Sequence, residues 1–173
     1  DPSSASGYWF PESGYNAAAY HDPNLIKNNT GEFRTLANSY IKANLPVKGL
    51  TLRGEAGTDV TFTNSSYWRS PLLSATNLSE AQEKAVTRAV FTWNGTLNYT
   101  RTFAEAHSVN LTVGGEATKN YSYYRSASGF NVATGYPELI NPDKSMAITA
   151  DGHRGNDLSM AGFFFRSNYA YKG

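Results

Sequence analysis

Residues 50–63 read Leu50-Thr51-Leu52-Arg53-Gly54-Glu55-Ala56-Gly57-Thr58-Asp59-Val60-Thr61-Phe62-Thr63, and this stretch decides the fold. Leu50, Leu52, Ala56, Val60 and Phe62 fall at even positions; Arg53, Glu55 and Asp59 fall at odd ones. All three charges share one face and every large apolar side chain the other. A period of two is a β-strand lying between two environments. Strands of globular proteins usually run about 3–10 residues. A tilted strand needs about 9–11 to cross a bilayer and often continues past it. The stretch is long enough to cross, with one face for lipid and one for a polar lumen.

The device recurs on both sides. Upstream, Phe33 to Leu45 alternates, with Arg34, Asn38, Lys42 and Asn44 on one face, and Pro46-Val47-Lys48-Gly49 makes a short turn into the first stretch. Downstream, Ala89 to Phe103 puts Phe91, Trp93, Leu97 and Tyr99 opposite Thr92, Asn94, Asn98 and Thr100. Arg101 interrupts that apolar face at the strand end, where it can snorkel to water. After the turn Ala104-Glu105-Ala106-His107, Ser108 to Tyr124 sets Leu111, Val113 and Tyr121 against Asn110, Thr112 and Glu116. Leu158 to Lys172 sets Phe163, Phe165, Tyr169 and Tyr171 against Arg166 and Asn168. Residues 1–31, rich in Pro, Gly and Asn, carry no sustained period and read as loop.

Between these five strands, short turns (46–49, 104–107) alternate with long connections (64–88, 125–157). Ser79-Glu80-Ala81-Gln82 resembles a capping box and predicts a short helix over Glu80 to Arg88. Membrane barrels show this asymmetry, with tight periplasmic turns and long extracellular loops. Phe33–Leu45, Ala89–Phe103 and Leu158–Lys172 would then run toward the periplasm. Aromatic residues gather at both predicted boundaries: Phe103, Tyr169 and Tyr171 at one, Phe62, Tyr121 and Tyr123 at the other. On this reading Leu50, Leu52, Val60, Leu97, Leu111, Val113, Phe163 and Phe165 face lipid. Arg53, Glu55, Asp59, Glu116 and Arg166 face the lumen.

Composition narrows the class. The chain is 173 residues long, 40% hydrophobic and 14% aromatic, with 12 Tyr and no Cys. No apolar run approaches the roughly 18 residues of a membrane-spanning helix. A net charge of +1 gives no electrostatic case for nucleic acid. Without cysteine, thiol catalysis and Cys-based metal sites are excluded.

Candidate chemistry is sparse. Glu55 and Asp59 share a strand face, a spacing that can serve acid–base catalysis. With Arg53 two residues from Glu55, a charge-balanced wall is the better reading. His21, His107 and His153 lie apart, without metal spacing. Asp151 to Asp157 faintly resembles a calcium loop but lacks its terminal Glu, so an ordinary polar loop is favoured. The N-x-[ST] matches, Asn94 and Asn98 among them, fall largely inside strands and are attributed to chance. No catalytic residue, cofactor or metal is expected. Tyr67, Trp68, Tyr123 and Tyr124, in or beside the long connections, are candidate contacts to a substrate or a covering partner.

Four motifs resemble a known family. Leu45-Pro46-Val47-Lys48-Gly49-Leu50 looks like the P-[IV]-K-G-L hairpin of SusC-like (RagA-like) TonB-dependent outer-membrane transporters. Thr96-Leu97-Asn98-Tyr99 to Phe103 resembles their T-L-N-Y-x-x-x-F strand, and Val113-Gly114-Gly115-Glu116 the x-G-x-E strand that follows. Phe164 to Gly173 resembles F-x-R-x-N-Y-x-Y-K-x-R-Y, cut off before its final Arg-Tyr. The motifs occur in family order across residues 45–173.

The resemblance implies part of a barrel of about 22 strands holding a plug domain. It implies import of glycans or peptides across the outer membrane of Bacteroidota, beneath a SusD-like surface lipoprotein and energised through TonB. Residues 1–173 would be part of one transmembrane β-barrel domain, with 64–88 and 125–157 as extracellular loops, within a longer polypeptide. The alternative is a soluble extracellular β-sandwich, a carbohydrate-binding or adhesin module.

Overall fold

The computed structural model describes residues 7–8, 16–73, 78–132, 146–155 and 157–172. Alternation becomes strand throughout: β1 (Ile26–Asn44), β2 (Leu50–Arg69), β3 (Glu80–Phe103), β4 (His107–Phe130), β5 (Met146–Arg154) and β6 (Leu158–Tyr171). They form one antiparallel sheet in the order β1-β2-β3-β4-β5, with β6 also paired to β4. The sheet is not closed. All six strands lie in this one sheet, so the described residues do not form the two-layer sandwich. The first four strands hold 19, 20, 24 and 24 residues, well over the usual 3–10 or so.

The helix expected over Glu80 to Arg88 is not formed; β3 begins at Glu80. Helix propensity is a weak prior that tertiary pairing overrides, and here β3 has a neighbour on both sides. Ser79, the expected cap, accepts instead from the Asn131 amide on its carbonyl (2.8 Å). The long connections contract accordingly, because residues 64–69, 80–88, 125–130 and 146–154 are strand. The rest of the expected 125–157 loop lies largely outside the described residues. β1 likewise begins at Ile26, inside the stretch read as loop.

β5 and β6 both pair with β4. Arg154 pairs with Tyr123 and Leu158 with Asn120, so four residues advance on one side against three on β4. The sequence therefore carries one residue more between these pairs than β4 does. The Gly155 amide donates to the Ser122 carbonyl at 2.8 Å, and a Cβ on Gly155 would collide with the Ser122 hydroxyl.

By contacts the chain divides into two compact units. One comprises Asp1–Phe33, Phe62–Thr87 and Tyr123–Arg154; the other comprises Arg34–Thr61, Arg88–Ser122 and Gly155–Gly173 and contains both short turns. In the short-turn unit, Gly49 has φ +85° and its carbonyl accepts from the Thr100 amide at 2.8 Å. A side chain there would strike the Thr100 carbonyl, so the P-V-K-G turn needs its glycine. The second turn places Ala104 and Glu105 at φ 49° and 55°, the left-handed pair of a two-residue hairpin loop.

Few apolar side chains are buried among the described residues of either unit. The buried apolar residues among those described are Ala19, Leu25, Ala81, Ala89 and Val132, and no large side chain is fully buried. Ile41 is 77% exposed, Phe165 69% and Phe163 92%. A soluble chain of this size buries about two-thirds of its unfolded surface, and its largest apolar side chains go first.

Candidate functional site: the charged face of the sheet

In the short-turn unit, cross-strand contacts fix which residues share a face. Arg34 on β1 reaches Asp59 on β2 with both nitrogens, at 2.9 and 2.6 Å. Arg53 pairs with Glu55 on its own strand and lies 5.1 Å over the Tyr40 ring. Glu55 accepts from Asn94 on β3 at 2.8 Å. The Thr112 hydroxyl on β4 donates to Asn98 on β3 at 2.7 Å. Register then carries the face onto β6, where Thr112 opposes Arg166 and Glu116 opposes Gly162. Arg53, Glu55, Asp59, Glu116 and Arg166 therefore stand on one face of the sheet.

This arrangement is electrostatically quiet. Each carboxylate of β2 is matched by an arginine. Such exposed pairs contribute about 0–1 kcal/mol each; they balance charge across the face more than they stabilise it.

Two depressions mark the face. One, of about 290 Å³, is lined by Asn38, Tyr40, Arg53, Glu55, Thr92 and Asn94 among others. The other, of about 370 Å³, is lined by Lys42, Asn98, Asn110, Thr112, Arg166 and Asn168, with Thr51 and Thr100. Sequence alternation placed these residues on the charged side but could not show that five strands bring them to one place. That requires cross-strand register. Apolar residues also reach this face: the Phe164 ring covers Gly114, which has no side chain to obstruct it.

The opposite face is apolar. Phe91 stacks with Trp93 (6.0 Å) and with Tyr121 (5.9 Å). Val113 opposes Phe165, and Phe163 lies against Gly115. Beside the Ala104–Glu105 turn, His107 contacts the Tyr169 hydroxyl at 2.7 Å and the Tyr171 ring at 5.0 Å. Arg101 lies 5.1 Å over the nearby Phe103 ring.

In the other unit, Tyr67 and Trp68 belong to β2, inside the stretch expected as a connection, and Tyr123 and Tyr124 belong to β4, in the strand expected there. Lys27 lies 5.7 Å over Trp68. Arg154 lies 5.6 Å over Tyr123. Tyr124 faces the other way, between Lys84 (5.1 Å) and His153 (4.7 Å). Asp151 stands 3.5 Å from His153, in a depression of about 690 Å³. Lys84 escaped notice in the sequence because it lay inside an expected helix, and His153 was read there as an isolated loop histidine. Among the described residues no three His, Asp or Glu side chains cluster as metal ligands.

Next to Tyr67, Arg69 and Glu80 pair at 2.7 Å. At the entrance to β1 Asp22 accepts from the Asn24 amide (2.8 Å) and the Tyr8 hydroxyl (3.0 Å). The Asn24 amide first, with help from Tyr8 and the Asn24 side chain, holds the Asp22 carboxyl below its ordinary range.

No family model matches the sequence, and no curated protein matches it. Solved structures do. The chain is similar to a structure of the RagAB peptide transporter, with a TM-score of 0.74 and 22% identity over 87% of this chain and 17% of that chain. It is also similar to the RagAB peptide importer in its open-open state, with a TM-score of 0.73, 22% identity and the same coverage. For the closed-closed state the TM-score is 0.71 at 22% identity, over 86% of this chain and 17% of that chain. The chain spans about a sixth of the length of the structures it matches. The fold is thus that of a segment of an antiparallel β-barrel, long strands with one charged and one apolar face.

Proposed function

We propose that this chain is part of the β-barrel of a TonB-dependent importer in a bacterial outer membrane. One observation carries the reading: strands of 19–24 residues hold a charge-paired face on one side and an exposed apolar face on the other, with no large side chain fully buried. Water tolerates such an apolar face poorly; a bilayer requires it. The charged face then lines the lumen, with Arg53, Glu55, Asp59, Glu116 and Arg166 in its wall. The ends of β2 and β4 carrying Tyr67, Trp68, Tyr123 and Tyr124 lie toward the outside, where they meet cargo or a covering lipoprotein.

The motif resemblance and the likeness to the RagAB structures support cargo of peptides or glycans, a SusD-like lipoprotein partner and energy through TonB. They support import, not catalysis. The polar wall supplies hydrogen-bonding groups along a path, and nothing in it activates a nucleophile.

Absence of cysteine from this chain makes the test direct. Single cysteines at Leu52, Val113 and Phe165, and at Thr51, Thr112 and Asn168, are introduced into a cysteine-free version of the full-length protein in outer membranes. The first three should react only with a lipid-phase maleimide and the second three with a water-soluble one. Uniform aqueous labelling of both sets would sink the proposal.

A further inference from the structure

Lys42 on β1 and Arg166 on β6 stand out on the charged face of the short-turn unit. Arg34 and Arg53 on that face are each matched by a carboxylate. Lys42 and Arg166 make no ion pair with the described residues. Both line the 370 Å³ depression, together with Asn98, Asn110 and Asn168, and no carboxylate lines it. Asn98 already receives the Thr112 hydroxyl on its carbonyl oxygen, which leaves its amide N–H groups for another acceptor. An ammonium, a guanidinium fork and amide donors thus converge on an open space without an acid.

A row of donors and two unneutralised cations is complementary to an anion. A guanidinium fork matches a planar carboxylate with two parallel hydrogen bonds. We propose that this depression binds a carboxylate of the transported ligand, so that the importer favours acidic cargo. The word "transported" rests on the function proposed above; the site itself is a matter of binding alone.

The test uses the full-length protein in detergent and two probes bearing the same uncharged dye, triglutamate and triglutamine, compared by fluorescence anisotropy. Triglutamate should bind about tenfold tighter at low salt, the equivalent of one charge-assisted hydrogen bond. The preference should fall toward parity near 0.5 M salt, where the Debye length is about 4 Å. Lys42→Gln with Arg166→Gln should abolish it, while Lys42→Arg with Arg166→Lys should keep it. Should the double neutralisation fail to fold, each single neutralisation should remove about half of the preference on a logarithmic scale.

No preference in the wild type overturns the proposal. A preference indifferent to salt, or unmoved by neutralising Lys42 and Arg166, overturns it as well. Failure of the protein to reside in the outer membrane would sink the importer reading but leave the binding preference standing, so the two can fail separately.

Discussion

Phe164 and Phe165 offer a test in which membrane and water give opposite answers. They are neighbours on β6 and face opposite sides: Phe164 covers Gly114 on the charged face, and Phe165 opposes Val113 on the apolar one. Phe164 is 43% exposed and Phe165 69%. Each is replaced by arginine in the full-length protein. In water, the more exposed side chain has less to lose. Full burial of a phenylalanine is worth about 1.5–3 kcal/mol, so Phe164→Arg would cost about 1–1.5 kcal/mol and Phe165→Arg less than 1.

A lipid contact reverses this order. Phe165 is the eighth residue of a strand running Leu158–Tyr171, near the middle of a crossing of about 9–11 residues. Arginine on the lipid face near the midplane costs about 2–4 kcal/mol. Phe164→Arg places its guanidinium in the polar lumen, diagonal to Glu116, and loses only the ring packing on Gly114. The assay is the urea midpoint at which the vesicle-reconstituted protein loses its heat-modifiable gel mobility, with Phe165→Leu as a control for lost volume. Phe165→Arg should be the weaker variant by about 1–2 kcal/mol, and Phe165→Leu close to wild type. If Phe164→Arg proves the more damaging of the two, the assignment of the apolar face to lipid is wrong.

Three further outcomes follow from local geometry. Gly49→Ala adds a side chain at φ +85° against the Thr100 carbonyl and should lower stability by about 2 kcal/mol or more, whereas Gly54→Ala, with open space around it, should raise it by about 0.5–1; the same urea series reads both. Replacing Ala104 and Glu105, both at positive φ, by Asn-Gly should stabilise the β3–β4 turn by about 1–2 kcal/mol, seen as slower amide exchange at Ala106. The Asp22 carboxyl is held low by its hydrogen bonds, so its contribution is in place at neutral pH and lost only as pH falls through a value beneath the usual 3.9 or so. Hydrogen exchange at Leu25 and Ile26, whose amides donate to the Asp22 carbonyl, should accordingly stay protected at pH 4 and open below it, and Asp22→Asn should remove that dependence; opening well above pH 4 in the wild type would contradict the assignment.

The fold was legible where the two faces differ chemically. Arg53, Glu55 and Asp59 against Leu50, Leu52 and Val60 admit one reading, because a slip of one residue would exchange every environment. Legibility failed where local and cross-strand preferences disagree. Glu80 to Arg88 carries good helix formers, yet Ala81 and Ala89 are buried at 0% and 1% in a strand paired on both sides. The depression around Lys42 and Arg166 was invisible for a different reason: its residues come from five strands, and alternation gives a face without giving neighbours.

The extra residue between Arg154 and Leu158 explains the remaining misreading, and it can be tested. His153 opposes Tyr124 and Leu158 opposes Asn120, both even positions of β4. Odd residues of β5 and even residues of β6 therefore both oppose even residues of β4, and no single period runs through 146–171. A reader of alternation sees a break and infers a loop. Removing one residue between Arg154 and Leu158 leaves Arg154 opposite Tyr123 and Leu158 opposite Asn120, so every flanking side chain keeps its face and the protein should still fold, losing only the local bend. Removing Ser167 instead turns Asn168, Tyr169 and Tyr171 to the wrong faces and separates the Tyr169 hydroxyl from His107. Reconstitution into vesicles followed by heat-modifiability should show the first deletion near wild type and the second largely unfolded. Equal damage from both would mean that the extra residue sets more than a bend, and that β5 depends on it for its pairing with β4.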